Sequence, residues 1–408
     1  MGARDASVLR DLSVRYLAIA GESRNQAARD LHRAVNDLAM VRPVVLVDEV
    51  PWHEFNGDGQ LTLQCEDPFL REIEGWLRRS LLQYRHFRAD RVAPPWVPVH
   101  KVIHATDIGI RVEETTLATD PENYIVSHEY RDQLADPADL ARLHPQAIRY
   151  DEAETLRRYN RVGAILGDIL PVRITGLSYA HFAPWDEIAS YRGVTALLTD
   201  LVDRPEYMHA LVDRLTDIRL DGLLQCEAQN LFDPDPLSLH CTPATVSDLP
   251  PRDHPRLADV WGRGTAQIFN SVSPEMHAEF DIAYMNRVLP RCGLSYYGCC
   301  EPLDRKIHIV EKIPNLRKVS VTPWADVRVA AEAIAGRFVV SAKPNPAAVA
   351  TGVLDRDALR KEILGILDAC SRFGCACDIV LKDISTCGGR PGVLSEWVDL
   401  VMDLVTHY

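Results

Sequence analysis

The second half of this chain alternates short β-rich runs with amphipathic helical segments, and that alternation constrains its fold more than any other feature. Residues 294–299 read as a strand, 303–313 as a helix, 318–321 as a strand and 325–335 as a helix. The pattern continues with a strand at 338–343, a helix at 355–373, a strand at 378–382 and a closing helix at 394–405. Four consecutive strand–helix units with short connections imply parallel strands joined by right-handed crossovers. The natural closure is an α/β fold of the (β/α)8 TIM-barrel type. An open doubly wound sheet is the alternative, but no G-x-G-x-x-G follows a strand. Gly388 and Gly389 are followed by Arg390 and Pro391, which breaks that spacing.

The first half is less regular. Apolar residues at helical spacing (Leu9, Leu12, Tyr16, then Ala28, Leu31, Val35) predict two helices split at Gly21 and Glu22, followed by a strand at 43–48. Alternation between residues 91 and 116 suggests a β-hairpin, with turn chemistry at Asp107 and Gly109. Residues 1–150 are therefore expected to form an N-terminal helical and β-hairpin layer on a barrel built from 151–408, one structural unit overall. A length of 408 residues suits such a barrel with an added layer.

The formal charge of −13 comes from scattered acids, with no basic cluster interleaved with aromatics, so nucleic acid is not an expected partner. Apolar runs such as 44–47 fall far short of the roughly 20 residues that cross a bilayer. The first ten residues mix charges with small residues and lack the apolar stretch of a secretory signal. The ten cysteines then read as reduced thiols in a cytoplasmic protein.

In a parallel α/β barrel the residues just past each strand converge on one rim, so polar groups far apart in sequence share a pocket. Past the four late strands stand Cys299, Cys300 and Glu301, then Thr322 and Trp324, then Lys343 and Asn345, then Asp383, Ser385, Thr386 and Cys387. Thiolates suit zinc, and a catalytic zinc needs three protein ligands with one position open. Cys299 and Cys387 stand on different strand ends, with Cys300, Glu301 or a histidine as a third donor. The plainer alternative is that these cysteines are small buried hydrophobes. His240 and Cys241 end a strand-like run at 237–241, which makes His240 a candidate for that histidine. Cys375 and Cys377 precede the last strand, at the end of the barrel that serves stability, and take no metal.

His181 follows a strand at 172–177 and is a candidate proton shuttle or ligand. Asp186 suits a helix N-cap. Lys343 is placed to bind an anion or to act as acid or base, with a solvated lysine as the alternative. Tyr297, Trp324, Asn345 and Trp185 are the candidate substrate contacts, although aromatic side chains are more often core.

The run Tyr296-Tyr297-Gly298-Cys299-Cys300-Glu301-Pro302-Leu303, with Ile313-Pro314-Asn315-Leu316-Arg317-Lys318 and Lys343-Pro344-Asn345-Pro346, resembles the uroporphyrinogen decarboxylase-like superfamily. Segments 181–186 and 382–386 share the likeness, which runs from about residue 95 onward. That superfamily holds porphyrinogen decarboxylases and zinc methyltransferases that move methyl groups between a corrinoid protein and a thiol such as coenzyme M, and its members fold as (β/α)8 barrels. The resemblance implies Cys299 and Cys387 as zinc ligands, with Cys300, Glu301 or His240 completing the set and Asp383 or His181 handling protons. The usual His-x-Cys motif is here Tyr297-Gly298-Cys299, so the third ligand is open. The arginines expected after the Pro95-Trp96 segment are missing, which disfavours porphyrinogen decarboxylation.

The leading expectation is thus a zinc-dependent methyltransferase acting on a small-molecule substrate. Its corrinoid would be methylcobalamin on a separate protein, because no D-x-H-x-x-G motif is present. A lyase that decarboxylates a small acid held by Lys343, Arg173 or Arg263 is the second expectation, and a non-catalytic binding barrel the third. A homodimer is compatible with each.

Overall fold

The computed structural model describes residues 2–118, 123 and 125–408. Nine of its strands carry the architecture: β1 (Val44–Val47), β2 (Val97–His100), β3 (Val172–Thr175), β4 (Ala180–Phe182), β5 (Trp261–Gly264), β6 (Leu294–Tyr297), β7 (Leu316–Val321), β8 (Val339–Ala342) and β9 (Cys377–Leu381). Seven of them form one parallel sheet in the order β1-β9-β8-β7-β6-β5-β4. β2 and β3 form a separate parallel pair. The late helices fall where the periodicity predicts them, at Val327–Ile334, Arg356–Arg372 and Val393–His407, whereas the one expected over 303–313 is reduced to Ile307–Val310. No helix among the described residues is long and apolar enough to cross a membrane.

The expected closed barrel is corrected here: among the described residues no hydrogen-bonded ladder joins β1 to the β2–β3 pair, so the sheet stays open. Pro98 supplies a physical reason. The amides of Val97 and Lys101 donate to Pro171 O and Thr175 O on the β3 side, so the intervening even-numbered amides face away from β3. One of these is Pro98, which has no N–H to offer. The edge of β1 is satisfied by other means. Val45 N donates to Asp90 Oδ2 at 2.8 Å, Asp90 N donates to Val45 O at 2.9 Å, and Gln83 Nε2 donates to Val47 O at 3.0 Å. A cavity of about 260 Å³ lies along this gap, lined by Val47, Asp48, Trp96, His100, Thr175 and Cys241, among others.

Two further expectations change. The hairpin between 91 and 116 does not form: β2 pairs with β3, Ile103–Ala105 pairs antiparallel with Ile148–Tyr150, and Glu114–Leu117 pairs with Ser127–Tyr130. Local alternation reports a strand but not its partner. β1, assigned by sequence to the covering layer, is an edge strand of the sheet itself, so the division at residue 150 does not separate layer from sheet.

The two faces of the sheet differ in kind. On the outer face, Val319, Val321, Val340, Ala342, Ile379 and Leu381 are buried against Leu394, Trp397 and Val401 of the last helix and their neighbours. Burying each larger aliphatic side chain contributes roughly 1.5–3 kcal/mol. On the inner face the alternate residues are Lys318, Ser320, Ser341, Lys343, Asp378 and Lys382, all buried. A parallel sheet covered on both faces usually reads as unbroken apolar runs, so this alternation marks a polar interior. Register sets His181, Arg263, Tyr296 and Lys318 side by side across β4 to β7.

The N-terminal end of this interior is plugged by helix Arg24–Asn36 and by the hairpin of Ser238–Leu239 with Thr242–Pro243. Val35 packs with Val44 and Val339, and Asn36 Nδ2 donates to Pro243 O at 3.0 Å and Thr245 O at 2.9 Å. Lys318 Nζ donates to Pro243 O at 3.2 Å and pairs with Asp378 at 2.8 Å, both side chains being fully buried.

Candidate active site at the strand ends

The hairpin turn delivers His240 to the C-terminal side of the interior, where β6 ends in Gly298 and Cys299. Gly298 has φ +99, and a Cβ there would stand 2.7 Å from Leu303 Cδ1, so the bend that presents Cys299 requires glycine. Three groups surround the Cys299 sulfur: Lys382 Nζ at 3.6 Å, His240 Nε2 at 3.8 Å and Cys300 Sγ at 3.8 Å. The Cys300 S–H donates to Cys299 and, against the opposing pull of burial, His240, Lys382 and Arg263 add to it, so the Cys299 thiol is drawn down to about 3. It is a thiolate at neutral pH. Burial pulls His240 down, but its hydrogen bonds to Cys241 and Cys299 outweigh that and carry it up to about 9. Thiolate and imidazolium therefore coexist, the state that makes a cysteine nucleophilic.

Acids form the outer wall of this cluster. Lys382 Nζ lies 2.8 Å from Asp383 and 3.4 Å from Glu49, whose carboxylate is 3.8 Å from His240 Nε2. Burial and a hydrogen bond with Asp383 push Glu49 up, whereas at Asp383 burial is outweighed only by Lys382, Glu49 and His240 together, which hold it down, so the two acids share a proton unequally. Glu49, His240 and Asp383 also take φ of +49, +54 and +57. Only seven non-glycine residues among those described have positive φ, and three of them meet here. Strain gathered at one place is characteristic of functional sites.

The sequence-predicted residues divide between this site and other tasks. Cys299, Cys300, His240 and Asp383 come together. Cys387 does not: its backbone N–H donates to both oxygens of Glu54, at 3.1 and 3.0 Å, and its side chain is fully buried in the main core. Glu301 is a brace, accepting from Cys299 N at 3.0 Å, Thr265 Oγ1 at 3.0 Å and Ala266 N at 3.1 Å. Lys343 faces the interior below the cluster and donates to Ser341 Oγ at 2.6 Å. His181 lies beside Arg263, its Nδ1 3.3 Å from Nη1. The surrounding protein mass and Arg263 draw it down to about 4, yet its ring is exposed, as at the wall of a wet chamber.

The expected substrate contacts are placed elsewhere. Tyr297 points outward, hydrogen-bonded to His277 Nε2 at 2.6 Å and to Asp281, because it follows the inward-facing Tyr296 on a strand. Trp185 is fully buried, with its indole N–H on Phe280 O at 2.8 Å. Trp324 is 67% exposed, and Asn345 caps the turn at Ala347 through a 3.0 Å bond. Asp186 is not a cap. It lies inside helix Pro184–Arg192, accepts from Gln267 N at 2.8 Å and Nε2 at 2.9 Å, and burial raises it to about 7. Glu49, Glu54, Lys382 and Arg263 carry more of the site than sequence reasoning assigned to them. The signal for Lys382 was its place at the end of β9, the same position that drew attention to Asp383.

The zinc pair implied by the resemblance does not fit these residues. The Cys387 side chain is packed in the main apolar core, an ammonium stands 3.6 Å from the Cys299 sulfur, and among the described residues no group of three or more His, Cys, Asp or Glu is arranged to hold a metal ion.

No protein-family model and no curated protein matches the chain. A solved structure of a methyltransferase from Methanosarcina mazei is similar in fold, with a TM-score of 0.50 over 92% of this chain and 97% of that one, at 11% identity. At that identity the likeness speaks for the fold alone: an α/β protein with a large parallel sheet.

Proposed function

We propose that the protein is a methyltransferase whose nucleophile is the Cys299 thiolate. The observation that carries this reading is a sulfur kept ionised by His240, Lys382 and Cys300 at the end of β6, on the side of a parallel α/β fold where chemistry resides. The fold of the Methanosarcina mazei methyltransferase agrees with it. A methylated corrinoid on a separate protein is the proposed donor, and it would supply an activated methyl group. The Cys299 sulfur attacks the methyl carbon, and the donor's bond to carbon breaks with its electron pair staying on the donor. His240 holds a proton for a leaving group that needs one, while Lys382 balances the thiolate before attack. A small thiol or amine then attacks the methyl carbon, and the sulfur–carbon bond breaks with its electron pair returning to Cys299 as the thiolate that His240, Lys382 and Cys300 stabilise. The acceptor's proton passes to the Glu49 and Asp383 pair.

Incubation with methylcobalamin followed by peptide mass analysis tests this directly. One methyl group on the Cys299 peptide is expected, absent in Cys299→Ser. Undiminished methylation in Cys299→Ser overturns the proposal. So does about one zinc per purified chain that is lost in the same variant, since the sulfur would then be a ligand.

A further inference from the structure

We infer that the interior beneath Cys299 holds a binding subsite for a substrate carboxylate, formed by Arg263 and the Tyr296 hydroxyl with Lys343 beside them. Arg263 is 4% exposed, and among the described residues no carboxylate lies within ion-pairing distance of it. Its one side-chain neighbour at hydrogen-bond distance is His181 Nδ1 at 3.3 Å, and its Nε is buried with no partner. The next strand places the Tyr296 hydroxyl on the same face, also buried and without a partner. Lys343 Nζ lies 6.0 Å from the Tyr296 ring centre and bonds the Ser341 hydroxyl, and among the described residues no acid pairs with it.

Contrast the other interior cations. Lys318 has Asp378 at 2.8 Å, and Lys382 has Asp383 at 2.8 Å and the Cys299 thiolate at 3.6 Å. Arg173, farther out, is paired with Asp233 and Asp235. A buried guanidinium without a carboxylate is costly, so an interior that pairs Lys318 and Lys382 with acids and leaves Arg263, with Lys343 beside it, without one is built to receive an anion. The planar fork of arginine and a neighbouring hydroxyl suit the two oxygens of a carboxylate. Arg263 pairs in register with Tyr296, three residues before Cys299 on the adjoining strand, so the held group lies toward the sulfur. A small carboxylic acid bearing the reacting heteroatom is therefore the substrate class. This deepens the proposed function and rests on it only for the reacting atom.

Two alkylating probes of equal shape separate the questions. Iodoacetate and iodoacetamide both place their methylene carbon under thiolate attack, forming the sulfur–carbon bond and releasing iodide, but only iodoacetate carries a carboxylate. The ratio of their rates at Cys299, read by peptide mass analysis, is expected to favour iodoacetate in the wild type and to fall about tenfold or more in Arg263→Gln, the loss of one charge-assisted contact. Tyr296→Phe, which removes a single unpartnered hydroxyl, is expected to lower it about threefold. Binding of succinate, followed by the rise in Tm, should be lost in parallel, with neutral succinamide as the control. An unchanged ratio in both variants, or equal stabilisation by succinate and succinamide, overturns the carboxylate subsite. If neither reagent touches Cys299 while succinate still stabilises the wild type alone, the nucleophile reading fails and the subsite stands.

Discussion

The two faces of the central sheet are made from the same strands and obey opposite rules. Outward, Val319, Val340 and Ile379 meet the helical layer through shape and apolar area. Inward, Lys318, Ser341 and Asp378 on the same three strands meet through charge, with Lys318 and the Ser341 hydroxyl both on the Asp378 carboxylate. The outer face can lose an atom and keep its chemistry. The inner face cannot lose one partner without leaving another buried and unpaired. Stability is spread over many outward contacts, and function is concentrated in a few inward ones.

The most severe way to break this contrast is Lys318→Met. It leaves Asp378 buried without its cation, and urea unfolding should show a loss of about 4 kcal/mol. The double change Lys318→Met with Asp378→Leu should recover much of that, because the pair is then removed rather than halved. Recovery close to zero would mean that the pair holds the sheet together and the contrast is wrong. An outward deletion, Ile379→Ala, should cost about 3 kcal/mol in the same measurement and leave alkylation of Cys299 unchanged.

His240→Ala sharpens the comparison at the rim. In the wild type the thiol is held near 3, so alkylation should be flat from about pH 5 to 8. Removing the imidazolium raises the thiol, so the acid limb of the alkylation profile should move up by about one pH unit, a change of about 1.4 kcal/mol, while the rate at alkaline pH stays unchanged. A pH-independent loss would show that His240 only supports the fold.

The smallest effect concerns Asp186. Its folded value of about 7 exceeds the ordinary 3.8, so its contribution to stability is present below about 4 and is lost as pH rises through 7. Discounted for its partial exposure, the difference is about 1 kcal/mol. Asp186→Asn should flatten that slope in denaturation curves collected between about pH 4 and 8.

How much of this could be read beforehand follows the same division. The late strands, Arg356–Arg372 and Val393–His407 were legible because period 2 and period 3.6 are local properties, and three of the four helices land within a few residues of expectation. Cys299, Cys300 and Asp383 come together as the rim rule expects, since it needs only the end of a strand, whereas His240 reaches them from a hairpin turn that the rule does not describe. Cys387 obeyed the same rule and failed, since nothing local announces that Glu54, more than three hundred residues earlier, fixes its loop. Tyr297 failed by one position: Tyr296 and Tyr297 are equivalent as sequence, and only the register of β6 decides which ring faces inward. Partner strands and unpaired charges are long-range facts, and Arg263 gained its meaning only once every carboxylate had a place.

The absent amide of Pro98 reaches beyond the local ladder. Asp90 and Gln83 already occupy the backbone groups of β1 that a closing strand would need. The cavity along the gap reaches Cys241, the residue after His240 in the turn that carries it. One imino acid thus decides where the wall is ladder and where it is cavity.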